Sequence, residues 1–153
     1  MKLFFKQQYF FWHDPFNIYD EDGNVLYVAK GDLEWTETLK VSDVQGNIIG
    51  KLKEKSFSVA MFDIFVKGKR IGCAGIPGML FWPLYKYHVD YKGWRVEGDK
   101  PLLNYTIYDD LGNSIATVSK NFKTYEINID DSQDVSSVLM LILAIDSTRR
   151  NRR

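Results

Sequence analysis

Eight consecutive apolar residues near the C-terminal end of the chain decide the fold: Val138-Leu139-Met140-Leu141-Ile142-Leu143-Ala144-Ile145. Asp131-Ser132-Gln133-Asp134 precede this run and offer helix N-cap candidates, so the sequence predicts a helix over about residues 133–147. A helix that is apolar on every face must be buried all round. The run is about half the length of a transmembrane helix, which disfavours a membrane anchor.

The preceding chain repeats one pattern, in which two apolar residues at alternate positions lead into a turn. The pairs are Phe16/Ile18, Leu39/Val41, Phe62/Ile64, Tyr87/Val89, Tyr105/Ile107 and Tyr125/Ile127. Alternation with a period of two is typical of strands that bury one face. With two arms for each unit, the sequence predicts about twelve antiparallel strands over about residues 2–130.

Three of the turns have nearly the same sequence: Asp20-Glu21-Asp22-Gly23-Asn24, Asp43-Val44-Gln45-Gly46-Asn47 and Asp109-Asp110-Leu111-Gly112-Asn113. Aspartate can accept a hydrogen bond from the backbone two residues on, and glycine can take the positive φ of a type I turn with a bulge. The first turn also resembles the start of a calcium loop. An EF-hand loop needs Gly at its sixth position and Glu at its twelfth, but these positions are occupied here by Val25 and Gly31. We therefore expect a plain hairpin there.

The helix and the strands fit together in one architecture. A closed sheet of about twelve strands has a lumen too wide for its own side chains to fill, because about eight strands is the filled limit. The predicted fold class is therefore mainly β: one closed antiparallel barrel over residues 1–153, with the C-terminal helix inside it and a basic tail at 148–153. A helix between the two sheets of a sandwich is the alternative. The units vary too much in length for a solenoid, and two-stranded units do not form propeller blades.

Composition narrows the possible functions. Twenty basic residues balance twenty acidic ones, which disfavours general nucleic-acid binding. The single cysteine, Cys73, excludes an internal disulfide and a cysteine-built zinc site. His13 and His88 lie in different units, and no phosphate-loop or nucleophile-elbow motif occurs. We therefore expect no enzyme activity, no cofactor and no metal.

The N-terminal residues bear on location. The segment from Met1 to Gln8 has charged residues within its first six positions and contains no small-residue cleavage site. Both features disfavour a signal peptide. We expect a cytoplasmic protein, with peripheral contact with the membrane as an option. Nothing in the sequence fixes the oligomeric state.

Several motifs resemble the LURP-one-related family, as a short member of bacterial type. They are Phe10-Phe11-Trp12, the turn from Phe16 to Asn24, Lys55-Ser56-Phe57-Ser58, the segment from Lys120 to Ile127, and the helix end Ala144-Ile145-Asp146. The resemblance implies kinship with Tubby C-terminal domains, which bind phosphoinositides, and with phospholipid scramblases, which are linked to lipid movement and calcium. It also implies a twelve-stranded barrel around a hydrophobic helix. This chain has no Pro-rich or Cys-rich segment like those of scramblases, and Tubby domains are much larger, so no lipid-binding residue carries over from either.

One cluster of basic residues is a candidate anion-binding or lipid-binding site. Its members are Lys51, Lys53, Lys55, Lys67, Lys69 and Arg70. If the strands that carry them are neighbours, the cations could hold a phosphate-bearing headgroup through charge-assisted hydrogen bonds, partly offset by Glu54 and Asp63. A solvated strand face, or lysines that protect a sheet edge, is the alternative.

Two other segments could contact a partner or a membrane. The segment from Gly72 to Pro83 combines glycines with Phe81 and Trp82, although it could instead fold over one mouth of the barrel. Arg149-Arg150-Asn151-Arg152-Arg153 complements the helix dipole, and could also contact an anionic membrane at about 1 kcal/mol per charge.

The function that these features favour is a non-enzymatic binding module that recognises anionic phospholipid headgroups. A protein-interaction or scaffold domain is the alternative, and a DNA-binding regulator is the least favoured of the three.

Overall fold

The structure is a computed structural model that describes residues 1–6, 15–33, 37–55, 61–75, 88–98 and 104–150. These residues form twelve strands and one helix. In chain order they are β1 (Lys2–Lys6), β2 (Phe16–Tyr19), β3 (Val25–Leu33), β4 (Glu37–Asp43), β5 (Ile48–Glu54), β6 (Met61–Val66), β7 (Lys69–Gly75), β8 (His88–Asp90), β9 (Arg95–Gly98), β10 (Tyr105–Tyr108), β11 (Ser114–Asn121), β12 (Thr124–Ile129) and α1 (Val135–Arg150).

All twelve strands belong to one antiparallel sheet, in the order β8-β7-β6-β5-β4-β3-β2-β1-β12-β11-β10-β9. The two edge strands, β8 and β9, are consecutive in the chain and share a tight turn in which Trp94 N–H donates to Tyr91 O at 2.9 Å. No ladder joins β8 to β9 within the described residues. Together with the C-terminal helix, this nearly closed barrel confirms the predicted fold class.

The apolar residues that mark each strand in the sequence form the core. Leu39, Val41, Ile107 and Ile127 have no exposed surface, and α1 is buried continuously over residues 137–147. The helix lies against β5, β6 and β7. Its sequence gives no polar face to present to water, so the surrounding sheet must cover every side of it.

The three aspartate turns have the same geometry. The backbone N–H groups two and four residues on donate to the aspartate Oδ1 at 2.8–3.0 Å. The glycines have φ values of +82°, +88° and +87°. A register shift accompanies each turn, in β2–β3, β4–β5 and β10–β11. These bonds and shifts confirm the predicted turn with a bulge.

The helix begins where its N-cap candidates lie. Ser137 Oγ donates to Asp134 Oδ2 at 2.6 Å, and Val138 N–H donates to Asp134 O at 3.2 Å. The helix ends at Arg150, so its backbone continues into the stretch that the sequence assigned to the tail. Arginine is a good helix former, and positive charge stabilises a helix C-terminus. No helix in the described part of the chain is long and apolar enough to span a membrane.

The antiparallel order divides the turns between two ends of the barrel. The turns that follow β2, β4, β6, β8 and β10 lie at one end, which we call the hairpin end, and α1 follows β12 from the same end. The β11–β12 turn lies at the opposite end. The hairpin end carries all three aspartate turns.

Candidate functional site

Strand β5 places two lysines on the outer face of the barrel. Leu52 is fully buried, so Lys51 and Lys53 on either side of it face outward. The pairing of β4 with β5 sets Lys40 directly opposite Lys51, and the pairing of β3 with β4 sets Lys30 directly opposite Lys40. Three lysines therefore form a row across three neighbouring strands.

The row continues across β6 and β7. Phe65 lies opposite Lys51, and Arg70 lies opposite Phe65. We call the outer surface of β3–β7 the lysine face, and define it by Lys30, Lys40, Lys51, Lys53, Lys55 and Arg70. Neighbouring strands are about 4.8 Å apart, so the lysines of the row face one another closely. The row therefore brings three ammonium-bearing side chains to one outward surface of the sheet.

An acidic residue, Asp63, lies within the lysine face. It lies opposite Lys53, and its Oδ1 is 2.9 Å from Arg70 Nε and 3.7 Å from Lys55 Nζ. The hydrogen bond from Arg70 to Asp63, with the attraction between the two charges, raises the pKa of Arg70 above its usual value. One carboxylate thus holds two cations of the lysine face, Arg70 and Lys55. Lys51 of the row lies opposite Phe65, and Lys40 and Lys30 lie on the two strands beyond it.

The structure brings together four of the six basic residues that the sequence singled out: Lys51, Lys53, Lys55 and Arg70. Lys67 and Lys69 are exposed at the β6–β7 turn, at the hairpin end. Lys67 has φ of +51° and is followed by Gly68 at +80°, as in a type I′ hairpin turn, and Lys69 lies opposite the buried Val66. Lys67 is thus in the turn itself and Lys69 begins β7, and neither lysine extends the row.

Sequence reasoning missed Lys30 and Lys40. Lys40 lies between the buried Leu39 and Val41, so its outward direction could be deduced from alternation alone. Its partner on the next strand depends on register, which the turn from Asp43 to Asn47 sets through its bulge. That turn was recognisable, so hairpin geometry was the available signal for the Lys40–Lys51 pair.

The other segments that the sequence singled out are only partly described. Phe81 and Trp82 lie outside the described residues. Arg149 and Arg150 belong to the backbone of α1, and residues 151–153 lie outside the described range. Cys73 is buried on β7, opposite Asp63. Within the described residues, no group of three or more His, Cys, Asp or Glu side chains could hold a metal ion.

Three comparisons place this chain among known proteins. The sequence model of a family described as LURP-one-related matches residues 1–146. A protein of Bacillus subtilis (strain 168), named "Uncharacterized protein YxjI", is 22% identical over 157 residues, which cover 99% of this chain and 95% of that protein. The X-ray structure of an Arabidopsis thaliana protein superimposes with a TM-score of 0.64 at 14% identity, over 99% of this chain and 91% of that one. At that identity, the structural likeness shows the fold alone.

Proposed function

We propose that this chain, which belongs to the LURP-one-related family, is a non-enzymatic binding module whose lysine face holds anionic phospholipid headgroups. The observation that supports the proposal is the row of Lys30, Lys40 and Lys51, set directly opposite one another on the outer face of the barrel. A phosphate-bearing headgroup could accept charge-assisted hydrogen bonds from more than one ammonium group of such a row.

Lysine side chains can bind a phosphate group in many orientations. Each ammonium group carries three donors on a flexible stem and binds phosphate as a point charge. At an anionic membrane surface, each cation contributes about 1 kcal/mol, and the contribution falls as salt rises. The proposed interaction is therefore electrostatic, additive over several lysines, and sensitive to ionic strength.

Asp63 opposes binding in this proposal. A headgroup that approaches Arg70 or Lys55 competes with a carboxylate already 2.9 Å and 3.7 Å away from their nitrogens. In the row, Lys51 lies opposite Phe65 and not opposite Asp63, and Lys40 and Lys30 lie on the next two strands. We infer that the row makes the first contact with the anion and that Arg70 and Lys55 contribute less.

Vesicle co-sedimentation at low salt tests the proposal, with phosphatidylcholine vesicles that contain or lack phosphatidylserine. The double variant Lys40→Glu/Lys51→Glu is expected to lose about 2 kcal/mol or more, roughly thirtyfold in the partition coefficient onto anionic vesicles. Asp63→Asn is expected to strengthen binding, because it frees Arg70 and Lys55.

Charge reversal at the hairpin end is the matched control. Lys67→Glu/Lys92→Glu changes the net charge of the chain by the same amount, but both residues lie in turns outside the lysine face. The control is expected to reduce binding far less than the double variant of the row. Equal recovery of the wild type with neutral and anionic vesicles, or equal losses in the two double variants, would contradict the proposal.

A further inference from the structure

Two exposed apolar side chains lie on the β4–β5 hairpin, which also carries two lysines of the row. Val44, in the turn, is 65% exposed, and Ile48, the first residue of β5, is 57% exposed. Ile48 lies opposite Ser42 of β4, and Ser42 lies opposite Val28 of β3. Ser42 follows Lys40 by two residues, so Val28 and Ile48 share the outer face of the sheet with the row. We call Val28, Val44 and Ile48 the apolar edge.

The apolar edge runs beside the row of lysines, on the side of the hairpin end. On β4, Ser42 lies two residues from Lys40, a distance of about 7 Å along the strand. On β5, the register shift adds one residue between Ile48 and Lys51, so that Ile48 keeps its place opposite Ser42. The outer surface of these strands therefore has a line of ammonium groups and, next to it, apolar side chains.

Charge distinguishes the apolar edge from another exposed apolar residue at the hairpin end. Leu111 is 82% exposed in the β10–β11 turn, but it follows Asp109 and Asp110. Arg95, beside that turn, has its Nε 3.0 Å from Glu97 Oε1. The surroundings of Leu111 thus have no excess of positive charge, whereas the apolar edge adjoins three lysines.

Acidic residues limit the surface that an anion can approach. In the turn of the apolar edge, the carboxylate of Asp43 accepts hydrogen bonds from the backbone of Gln45 and Asn47 and from the Asn47 side chain. Glu21 and Asp22 are exposed in the β2–β3 turn, at the same end of the barrel. An anionic surface is therefore expected to meet the β4–β5 hairpin from the lysine face and not from the end of the barrel.

We propose that the apolar edge enters an anionic lipid bilayer at the level of the headgroups, while the row of lysines binds the phosphates of the same lipids. This inference rests on the proposed function and deepens it, because it assigns the bound anion to a bilayer surface. An anion dissolved in water would be held by the lysines alone. Apolar side chains add to binding only where they leave water, as they do between lipid headgroups.

Val44→Thr/Ile48→Thr tests the proposal, because threonine keeps the branched shape and suits a strand but is polar. Partition onto vesicles of phosphatidylcholine with phosphatidylserine is expected to fall by roughly tenfold, as for partial burial of two apolar side chains. Salt does not screen an apolar contact, so this loss should be similar at low and at physiological ionic strength. The loss in Lys40→Glu/Lys51→Glu should instead shrink as salt rises.

Leu111→Thr/Phe122→Asn is the matched control. It removes two apolar side chains that are 82% and 93% exposed, in turns outside the lysine face. Asparagine tolerates the positive φ of Phe122, which is +60°. The control is expected to bind these vesicles as the wild type does, and a loss equal to that of Val44→Thr/Ile48→Thr would contradict the proposal.

A local probe reports insertion directly. An environment-sensitive dye attached to Val44→Cys, in a Cys73→Ala background, is expected to report an apolar environment when these vesicles are added. The same dye at Leu111→Cys is expected to stay in water. If the dye at position 44 also stays in water, or if Val44→Thr/Ile48→Thr binds these vesicles like the wild type, the proposal is wrong.

The same measurements separate this inference from the proposed function. If Lys40→Glu/Lys51→Glu loses binding and Val44→Thr/Ile48→Thr does not, the lysine face binds headgroups without the apolar edge, and only this inference fails. If the wild type binds neutral and anionic vesicles equally and Val44→Thr/Ile48→Thr loses binding, the proposed function fails while insertion of the apolar edge stands. Self-association of the wild type that Val44→Thr/Ile48→Thr abolishes in sedimentation velocity, with vesicle binding unchanged, would assign the apolar edge to a second copy of this chain and overturn the inference.

Discussion

At the scale of single residues, the aspartates of the three repeated turns show how short sequences fix local geometry. Each carboxylate accepts backbone N–H groups from the residues two and four positions on, and its second oxygen accepts from the side chain of the asparagine that ends the turn. The asparagine backbone N–H is the largest cause that lowers the aspartate pKa in all three turns. The turns are thus held by interactions with the ionised side chain.

These bonds predict a loss of stability in acid. Because the pKa of Asp20, Asp43 and Asp109 is lower in the folded chain than the ordinary value of 3.8, their contribution is complete above that value. It is lost as the pH falls through the lower, folded values. We expect the urea midpoint of unfolding to fall over this range, and to fall less in Asp43→Asn, whose amide oxygen can still accept the two backbone bonds without titrating, although the bond from Asn47 Nδ2 is lost.

Asp110→Asn is the control, since this change removes a carboxylate from the same kind of turn beside the bonded Asp109. It should leave the acid-induced loss as large as in the wild type. If Asp43→Asn and Asp110→Asn respond equally to acid, general charge effects and not the turn bonds explain the loss.

At the scale of elements, the contact between α1 and β5 depends on the absence of one side chain. Gly50 is buried on the inner face of β5, and a Cβ built there would lie 2.5 Å from both Cγ and Sδ of Met140. That separation is far shorter than any normal contact. The glycine therefore lets the helix approach the wall of the barrel, where its apolar surface is covered.

Gly50→Ala is expected to destabilise the chain by about 1–3 kcal/mol, because the added methyl group overfills this contact. Met140→Ala removes the atoms that clash, at the cost of a cavity. In the double variant, the alanine at position 50 should therefore cost less than it does alone. Urea unfolding of the four proteins gives the coupling energy, and purely additive effects would show that the helix does not press on β5 at this point.

At the scale of the whole molecule, the barrel is uneven around its circumference. Within the described residues, one pair, Phe4 with Tyr19, joins β1 to β2, and no ladder joins β8 to β9. By contrast, β3, β4 and β5 share long registers. The weak positions lie far apart in the strand order, and the helix lies against β5, β6 and β7.

Hydrogen exchange should reveal this unevenness. Amides of β8 and β9 are expected to exchange faster than those of β4 and β5, because edges open with less free energy than fully paired central strands. Exchange followed by NMR or mass spectrometry at neutral pH gives the comparison by segment. If the amides of β8 and β9 were protected from exchange as strongly as those of β4 and β5, the barrel would be effectively closed between β8 and β9.

The parts of this protein that depend on periodicity and local chemistry follow from its amino-acid sequence alone. Alternation identified the inward residues of the strands, the three aspartate turns were recognisable from their Asp, Gly and Asn, and the apolar run from Val138 to Ile145 required a covered helix. A barrel of twelve strands has a lumen that its own side chains cannot fill, so the sequence predicted that the helix lies inside it. These deductions need only neighbouring residues and the rule that apolar surface must be buried.

The tertiary structure decided how residues distant in the chain lie beside one another. Lys30 lies beside Lys40 through the pairing of β3 with β4, and Lys40 lies beside Lys51 through the pairing of β4 with β5. The sequence does not contain a recognisable turn that would set the first of these registers. The same holds for Asp63 between Arg70 and Lys55. Strand pairing is non-local, and a shift of one residue would turn every side chain to the other face, so only the folded sheet fixes which charges meet.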